Sequence, residues 1–220
     1  MPSKQDIIEI FERLEAANPN PKSELSHTNE FTFAVAVILS AQTTDKAVNK
    51  VTQKLFEIAD TPEKILAFGL EMLKAHLKSL GLSNSKAKNI IAMSQFLVSS
   101  YNSKLPQNRD ELEELPGIGR KSANVIANRL FGEACIAVDT HVLRVAVRLG
   151  LSEPTKNPLA VEIALSHVVP IRFHKRASDW LVLHGRYVCV AINPRCTACL
   201  LGDLCKFNSR KAGLYNSDST

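Results

Sequence analysis

The chain opens without the basic end and following apolar run of a secretory signal. Met1 to Ile10 carries the acidic Asp6 and Glu9, so export is not expected. Its longest apolar stretch, Phe33 to Leu39, is far short of the roughly 20 residues that cross a bilayer, and no membrane partner is expected. Internal repeats, low-complexity tracts and long heptad runs are missing, which sets aside solenoids and coiled coils. Strand-like alternation is nearly missing as well, which sets aside folds built on a sheet. Cysteine is absent until Cys135, and the other four fall late, at Cys189, Cys196, Cys199 and Cys205. Without a secretion signal, such clustering points to a metal site ahead of disulfides. Cys135 stands apart in the run Cys135-Ile136-Ala137-Val138 and reads as a small buried hydrophobe.

The chain has 220 residues, of which 45% are hydrophobic, enough to bury a core as one large domain or two small ones. A formal charge of +5 suits a polyanionic partner without requiring one. Ile7, Ile8, Phe11 and Leu14 mark an amphipathic helix, and Phe31 to Leu39 is apolar on so many sides that it reads as a buried one. Asp45 to Phe56 keeps its apolar residues on one face. Thr61-Pro62 starts another helix, and Gly81 stops the one carrying Leu73, Leu77 and Leu80. Asn84 to Tyr101 and Asn108 to Leu115 follow, the second with Asn108 and Glu111 spaced as a capping box. Gly119 to Phe131 is closed by Gly132, Thr140 to Leu149 is capped by Asp139, Asn157-Pro158 opens a further helix, and Lys175 to Val190 gives the last. The expected fold class is all-α, with a polar tail from Asn208 to Thr220 that should fray.

The segment Leu115-Pro116-Gly117-Ile118-Gly119-Arg120-Lys121 sits between a helix that ends and a helix that begins. Two glycines around one apolar residue let the backbone approach a ligand closely, and amides near a helix start face outward as anion donors. A DNA phosphate suits them. Gly-x-Gly alone is a common turn, but the preceding Leu-Pro and following Arg-Lys give this one the look of a helix-hairpin-helix. Gly117, Ile118, Gly119 and Arg120 are thus candidate DNA contacts. Lys121, in the first turn of the second helix, is a candidate nucleophile, since a neutral amine attacks a carbonyl-like sugar carbon to form a Schiff base. Asp139 is first an N-cap, and its carboxylate can also stabilise a cationic sugar or accept a proton from Lys121.

The cysteines follow the pattern Cys189-x6-Cys196-x2-Cys199-x5-Cys205. Structural zinc with four thiolates usually takes two Cys-x2-Cys pairs across a long insert, whereas here one such pair is flanked by single cysteines. The compact, asymmetric spacing fits a [4Fe-4S] cube, with zinc as the alternative.

The hairpin with Lys121, the Val138-Asp139-Thr140-His141 segment and the cysteine spacing together resemble the endonuclease III family of iron-sulfur helix-hairpin-helix DNA glycosylases. The likeness runs from Leu39-Ser40-Ala41-Gln42 through Gly81-Leu82-Ser83-Asn84-Ser85-Lys86-Ala87 and His184-Gly185-Arg186-Tyr187 to Cys205. It implies that Lys121 is the nucleophile, that Asp139 assists it, and that Gln42 and Leu82 fill the gap left by a flipped nucleotide and wedge the opposite strand. It implies a six-helix barrel over residues 24–134 and a cluster-bearing domain from residues 1–23 and 135–220, with a DNA cleft between them. The loop from Val190 to Arg195 is less basic than its family counterparts, which reduces the phosphate contact expected there.

The expected protein is therefore a monomeric glycosylase and lyase of base excision repair, cytoplasmic and at the nucleoid in a bacterium. It would bind duplex DNA carrying oxidised or saturated pyrimidines or abasic sites, with a [4Fe-4S] cluster as cofactor. An adenine glycosylase of the related iron-sulfur branch is disfavoured by Lys121 and by the short chain after Cys205. A non-catalytic DNA-binding module would have no reason to keep Lys121 with Asp139.

Overall fold

The computed structural model describes residues 1–21 and 24–209, and all of its regular elements are helical. Residues 210–220 of the polar tail lie outside the described residues. The chain divides into two compact units, one of Met1–Lys22 with Ala134–Thr220 and one of Ser23–Glu133. Among the described residues no helix is long and apolar enough to cross a membrane.

The first unit begins with α1 (Lys4–Ala17), started by a reciprocal Ser3 and Asp6 capping box. The chain then passes into the second unit at α2 (Glu30–Ser40), where every residue from Phe31 to Leu39 is buried. A helix without a polar face has to be surrounded, and α2 packs against α3 (Asp45–Ile58), α6 (Ser83–Ser100) and α8 (Arg120–Phe131). Phe33 and Leu39, exposed by 1% and 0%, contribute on the order of 1.5–3 kcal/mol each through that burial. Between α3 and α6 lie α4 (Pro62–Phe68) and α5 (Leu70–Leu77), and α7 (Arg109–Glu113) precedes α8.

Among the described residues seven helices thus occupy the span for which the family resemblance implies a six-helix barrel. The extra break is Gly69, whose φ of +81° is left-handed and ends α4 before α5 begins; glycine alone adopts that conformation without steric cost.

Back in the first unit, α9 (Thr140–Leu149), α10 (Pro158–Val168) and α11 (Ile171–Tyr187) join α1. α11 begins four residues earlier than its apolar rhythm predicts and stops at Tyr187. Phe11, Phe173 and Trp180 form an aromatic trio, with ring centroids 5.5 to 6.4 Å apart. The Trp180 indole donates to the carbonyl of Asn18 at 2.8 Å, so its polar atom is satisfied at the edge of the core. Arg13 of α1 reaches the cysteine-bearing segment, donating to the carbonyl of Leu200 at 2.8 Å and to both carboxylate oxygens of Asp203 at 2.7 and 2.9 Å.

Candidate functional site

The connection from α7 to α8 is anchored by apolar side chains. Leu115 and Ile118 are buried, and the Ile118 amide donates to the Leu115 carbonyl at 3.0 Å. The Ile118 side chain therefore faces the core, and only its backbone is available to a ligand. Gly117 has φ +84°, and a Cβ there would stand 2.7 Å from the Cβ of Asn89 on α6. Both facts demand glycine. Gly119 is the N-cap of α8 and offers no side-chain cap, and a Cβ on it would meet nothing within 4 Å. The N-cap residue thus supplies none of the side-chain acceptor that caps most helices. Lys121 is exposed on that turn, and its side chain makes no hydrogen bond or ion pair among the described residues. Arg120 beside it is half-buried.

Gln42 and Leu82 share two properties that sequence alone does not show. Both are exposed, Leu82 by 57%, and both hold left-handed backbone, with φ +53° and +60°. A core role for Leu82 is ruled out by that exposure. The left-handed region costs an ordinary side chain on the order of 1–2 kcal/mol, so two such residues mark loops held in shape by their surroundings. The loops are neighbours, since a Cβ on Gly81 would lie 4.0 Å from the Gln42 carbonyl oxygen.

In the other unit Asp139 follows the buried run Ile136-Ala137-Val138 and caps α9. One carboxylate oxygen accepts from the amides of both His141 and Val142 at 2.8 Å. Its second oxygen has no hydrogen bond among the described residues, so capping leaves half the carboxylate for chemistry. The start of α9 is fixed in turn by Arg144, which donates to the carbonyls of Gly185 at 2.9 Å and Cys189 at 3.0 Å.

Cys189, Cys196, Cys199 and Cys205 are free thiols lining one pocket, which has about 360 Å³ of empty space including its mouth. Burial pushes the Cys199 and Cys205 thiols up from the ordinary cysteine value, and charge on Cys189 and Cys196 raises each further, with Cys205 adding to the effect at Cys199. Backbone amides oppose this, that of Leu201 at Cys199 and those of Phe207 and Asn208 at Cys205. Mutual repulsion among thiolates, with amides aimed at sulfur, suits a positively charged core held by four thiolates. Arg148 donates to the Cys189 sulfur at 3.4 Å and to the carbonyls of Val190 and Ala191 at 2.8 and 2.9 Å. His184 stands 3.5 Å from the Cys199 sulfur. Among the described residues no three His, Cys, Asp or Glu side chains are gathered as a single-ion site. Cys135 is half-buried and lines no part of this pocket.

The structure adds Arg13, Lys86, Asn89, Arg144 and Arg148 to the residues the sequence singled out. Only the arginines of α9 left a signal, a four-residue spacing that puts them on one face.

The chain matches the model of the HhH-GPD superfamily base excision DNA repair proteins over residues 35–170. It is 48% identical over 208 residues to endonuclease III of Haemophilus influenzae, covering 94% of this chain and 98% of that relative. With endonuclease III of Rickettsia conorii the identity is 50% over 203 residues, covering 92% and 96%. A solved structure of a trapped endonuclease III–DNA covalent intermediate, the estranged-adenine complex, aligns with a TM-score of 0.90 and 40% identity, covering 96% of this chain and 100% of that one.

Proposed function

Because this chain belongs to the HhH-GPD superfamily of base excision DNA repair proteins and, within it, to the endonuclease III family of DNA glycosylase/AP lyase enzymes, we propose that it excises oxidised or saturated pyrimidines and cleaves the resulting abasic site through a Schiff base on Lys121. The observation that carries this reading is the exposed amine of Lys121, without a partner among the described residues, on the uncapped first turn of the hairpin's second helix. A trapped covalent complex with DNA is known for a relative at 40% identity, which an amine nucleophile explains.

Gly117, Gly119, Arg120 and the Ile118 backbone hold a DNA phosphate. Gln42 and Leu82 enter the duplex as the damaged nucleotide leaves it, one filling the gap and the other wedging the opposite strand. The Lys121 amine attacks the sugar carbon bearing the base. The free oxygen of Asp139 faces the positive charge that develops there or takes the proton from Lys121. Departure of the base leaves an iminium between Lys121 and the opened sugar, and loss of a proton from the adjacent carbon expels the 3′ phosphate by β-elimination.

Cys189, Cys196, Cys199 and Cys205 fit a [4Fe-4S] cluster, in keeping with the family. Such a group supplies a rigid covalent tie among four points of the C-terminal segment. Arg13 and Arg148 fasten that segment to α1 and α9 through the bonds already described.

Borohydride reduction in the presence of an abasic duplex tests the reading. The wild type should give a covalent adduct, and Lys121→Gln should give none while still binding damaged duplex. A hydrolytic adenine glycosylase or a non-catalytic module would leave the wild type unlinked to DNA.

A further inference from the structure

Lys86 is a buried cation, 3% exposed, with no carboxylate partner among the described residues. Two effects oppose its placement. Burial pushes its ammonium below the ordinary lysine value, and its position in the first turn of α6 sets it against the positive end of the helix dipole. Stability alone therefore gives no account of the residue.

Its contacts do. The Lys86 ammonium donates to the Thr43 hydroxyl at 2.7 Å, and that hydroxyl donates to the Ala41 carbonyl at 3.3 Å. The two residues flanking Gln42 are thus tied together and to α6. Through its backbone, Lys86 also makes the first helical bond of α6, its amide donating to the Leu82 carbonyl at 3.0 Å. One residue therefore anchors both loops that carry exposed left-handed residues, Gln42 and Leu82. Thr44, at the far end of the Gln42 loop, caps α3 by accepting from the Ala47 amide at 3.3 Å, but among the hydrogen bonds described only the Lys86 side chain ties that loop to α6, and Leu82 as N-cap offers α6 no side-chain cap.

We propose that Lys86 is a positioning residue for DNA distortion, bracing Gln42 and Leu82 in the shape that enters the duplex. The proposal rests on the reading of Gln42 and Leu82 as the gap-filling and wedging residues. Lys86 touches no DNA; its ammonium, bonded to the Thr43 hydroxyl, ties the start of α6, where the residue 86 amide bonds the Leu82 carbonyl, to the Gln42 loop. A brace of this kind keeps the loop-ordering cost out of the binding step.

The test uses the full chain carrying its cluster. Lys86→Met keeps the length and apolar stem, and Lys86→Met/Thr43→Val replaces both polar partners with apolar groups of similar shape, a change that is nearly neutral for folding. Amide hydrogen exchange in residues 41–44 and 82–86 should accelerate at least about tenfold in either variant, with α2 and α8 unchanged. Single-turnover base excision from damaged duplex should fall roughly tenfold, whereas cleavage of an abasic site in a single strand, which has no opposite strand to wedge, should fall less than about twofold. In a Gln42→Ala/Leu82→Ala background Lys86→Met should cost less than about twofold more, because the residues it positions are gone.

Unchanged exchange in the two loops refutes the brace. Equal losses on duplex and single strand, or a full tenfold loss in the Gln42→Ala/Leu82→Ala background, refute the link to DNA distortion. If Gln42→Ala/Leu82→Ala itself excises at the wild-type rate, the wedge reading fails, and the exchange experiment still decides whether Lys86 braces the loops.

Discussion

Gly117→Ala measures how tightly the hairpin is built. The substitution adds one carbon at a residue with φ +84°, 2.7 Å from the Asn89 Cβ. The left-handed conformation costs alanine about 1–2 kcal/mol, and forcing a methyl into a filled contact costs about 1–3 kcal/mol more. The sum, roughly 2–5 kcal/mol, corresponds at roughly 2–4 °C per kcal/mol to a fall in Tm of about 4–20 °C for a chain this size. Thermal or denaturant unfolding followed by circular dichroism reads it directly. A second substitution checks the cause. Asn89→Ala keeps the clashing Cβ and should rescue nothing, whereas Asn89→Gly removes it at about 1 kcal/mol for glycine within α6 and should recover part of the loss. A Tm within about 1 °C of wild type would refute the argument, since it falls below the smallest sum above. Equal rescue by Asn89→Ala and Asn89→Gly would show that the contact is not the one named. Because the same backbone grips phosphate in the proposed function, affinity for undamaged duplex should fall with stability.

Asp139→Asn keeps a cap, since asparagine caps a helix about as well as aspartate, so Tm should hold while base excision falls by orders of magnitude. Cleavage of a ready-made abasic site should fall less, and wild-type excision by Asp139→Asn would leave Asp139 as a cap alone. Cys199→Ser should bleach the iron-sulfur absorbance or prevent folding, whereas Cys135→Ser should leave it intact; equal effects would mean that the four ligands are misassigned. Lys86 also predicts a pH dependence of stability. Its folded pKa is lowered below 10.5, so in the window between the two values the unfolded chain holds the extra proton and stability rises with pH. Any stability advantage of Lys86→Met over wild type should therefore shrink between neutral and alkaline pH, and an advantage that grew would contradict the burial described.

The parts of the fold legible in the sequence are those fixed locally. The run from Phe31 to Leu39 announces a surrounded helix because no face of it is polar, and Asp139 before Thr140 announces a cap because the acceptor and its amides are two and three residues apart. The cysteine spacing groups four thiols for the same reason, since Cys189 to Cys205 lie within one short segment and line one pocket. Gly69 was harder to read. A single glycine between Phe68 and Leu70 interrupts no apolar rhythm, and only its φ of +81° splits α4 from α5.

What the sequence could not show depends on partners far along the chain or on conformations the residue type disfavours. Leu82 enters the sequence reading only through the family resemblance, because leucine is apolar and rarely left-handed, and its exposure appears only with the backbone that holds it. Lys86 reads as a solvated charge because most lysines are, and its burial appears only once Thr43, 43 positions earlier, is brought against it. Arg13 likewise meets Asp203 across 190 positions. Lys121 and Asp139 could be named as candidates because chemistry is written in residue type. The groups that hold Gln42, Leu82 and the cysteine segment in place were hidden because bracing is written in distance. A substitution chosen from sequence alone would therefore reach Lys121 and Asp139 first and overlook Lys86, whose tie to Thr43 appears only in the folded chain.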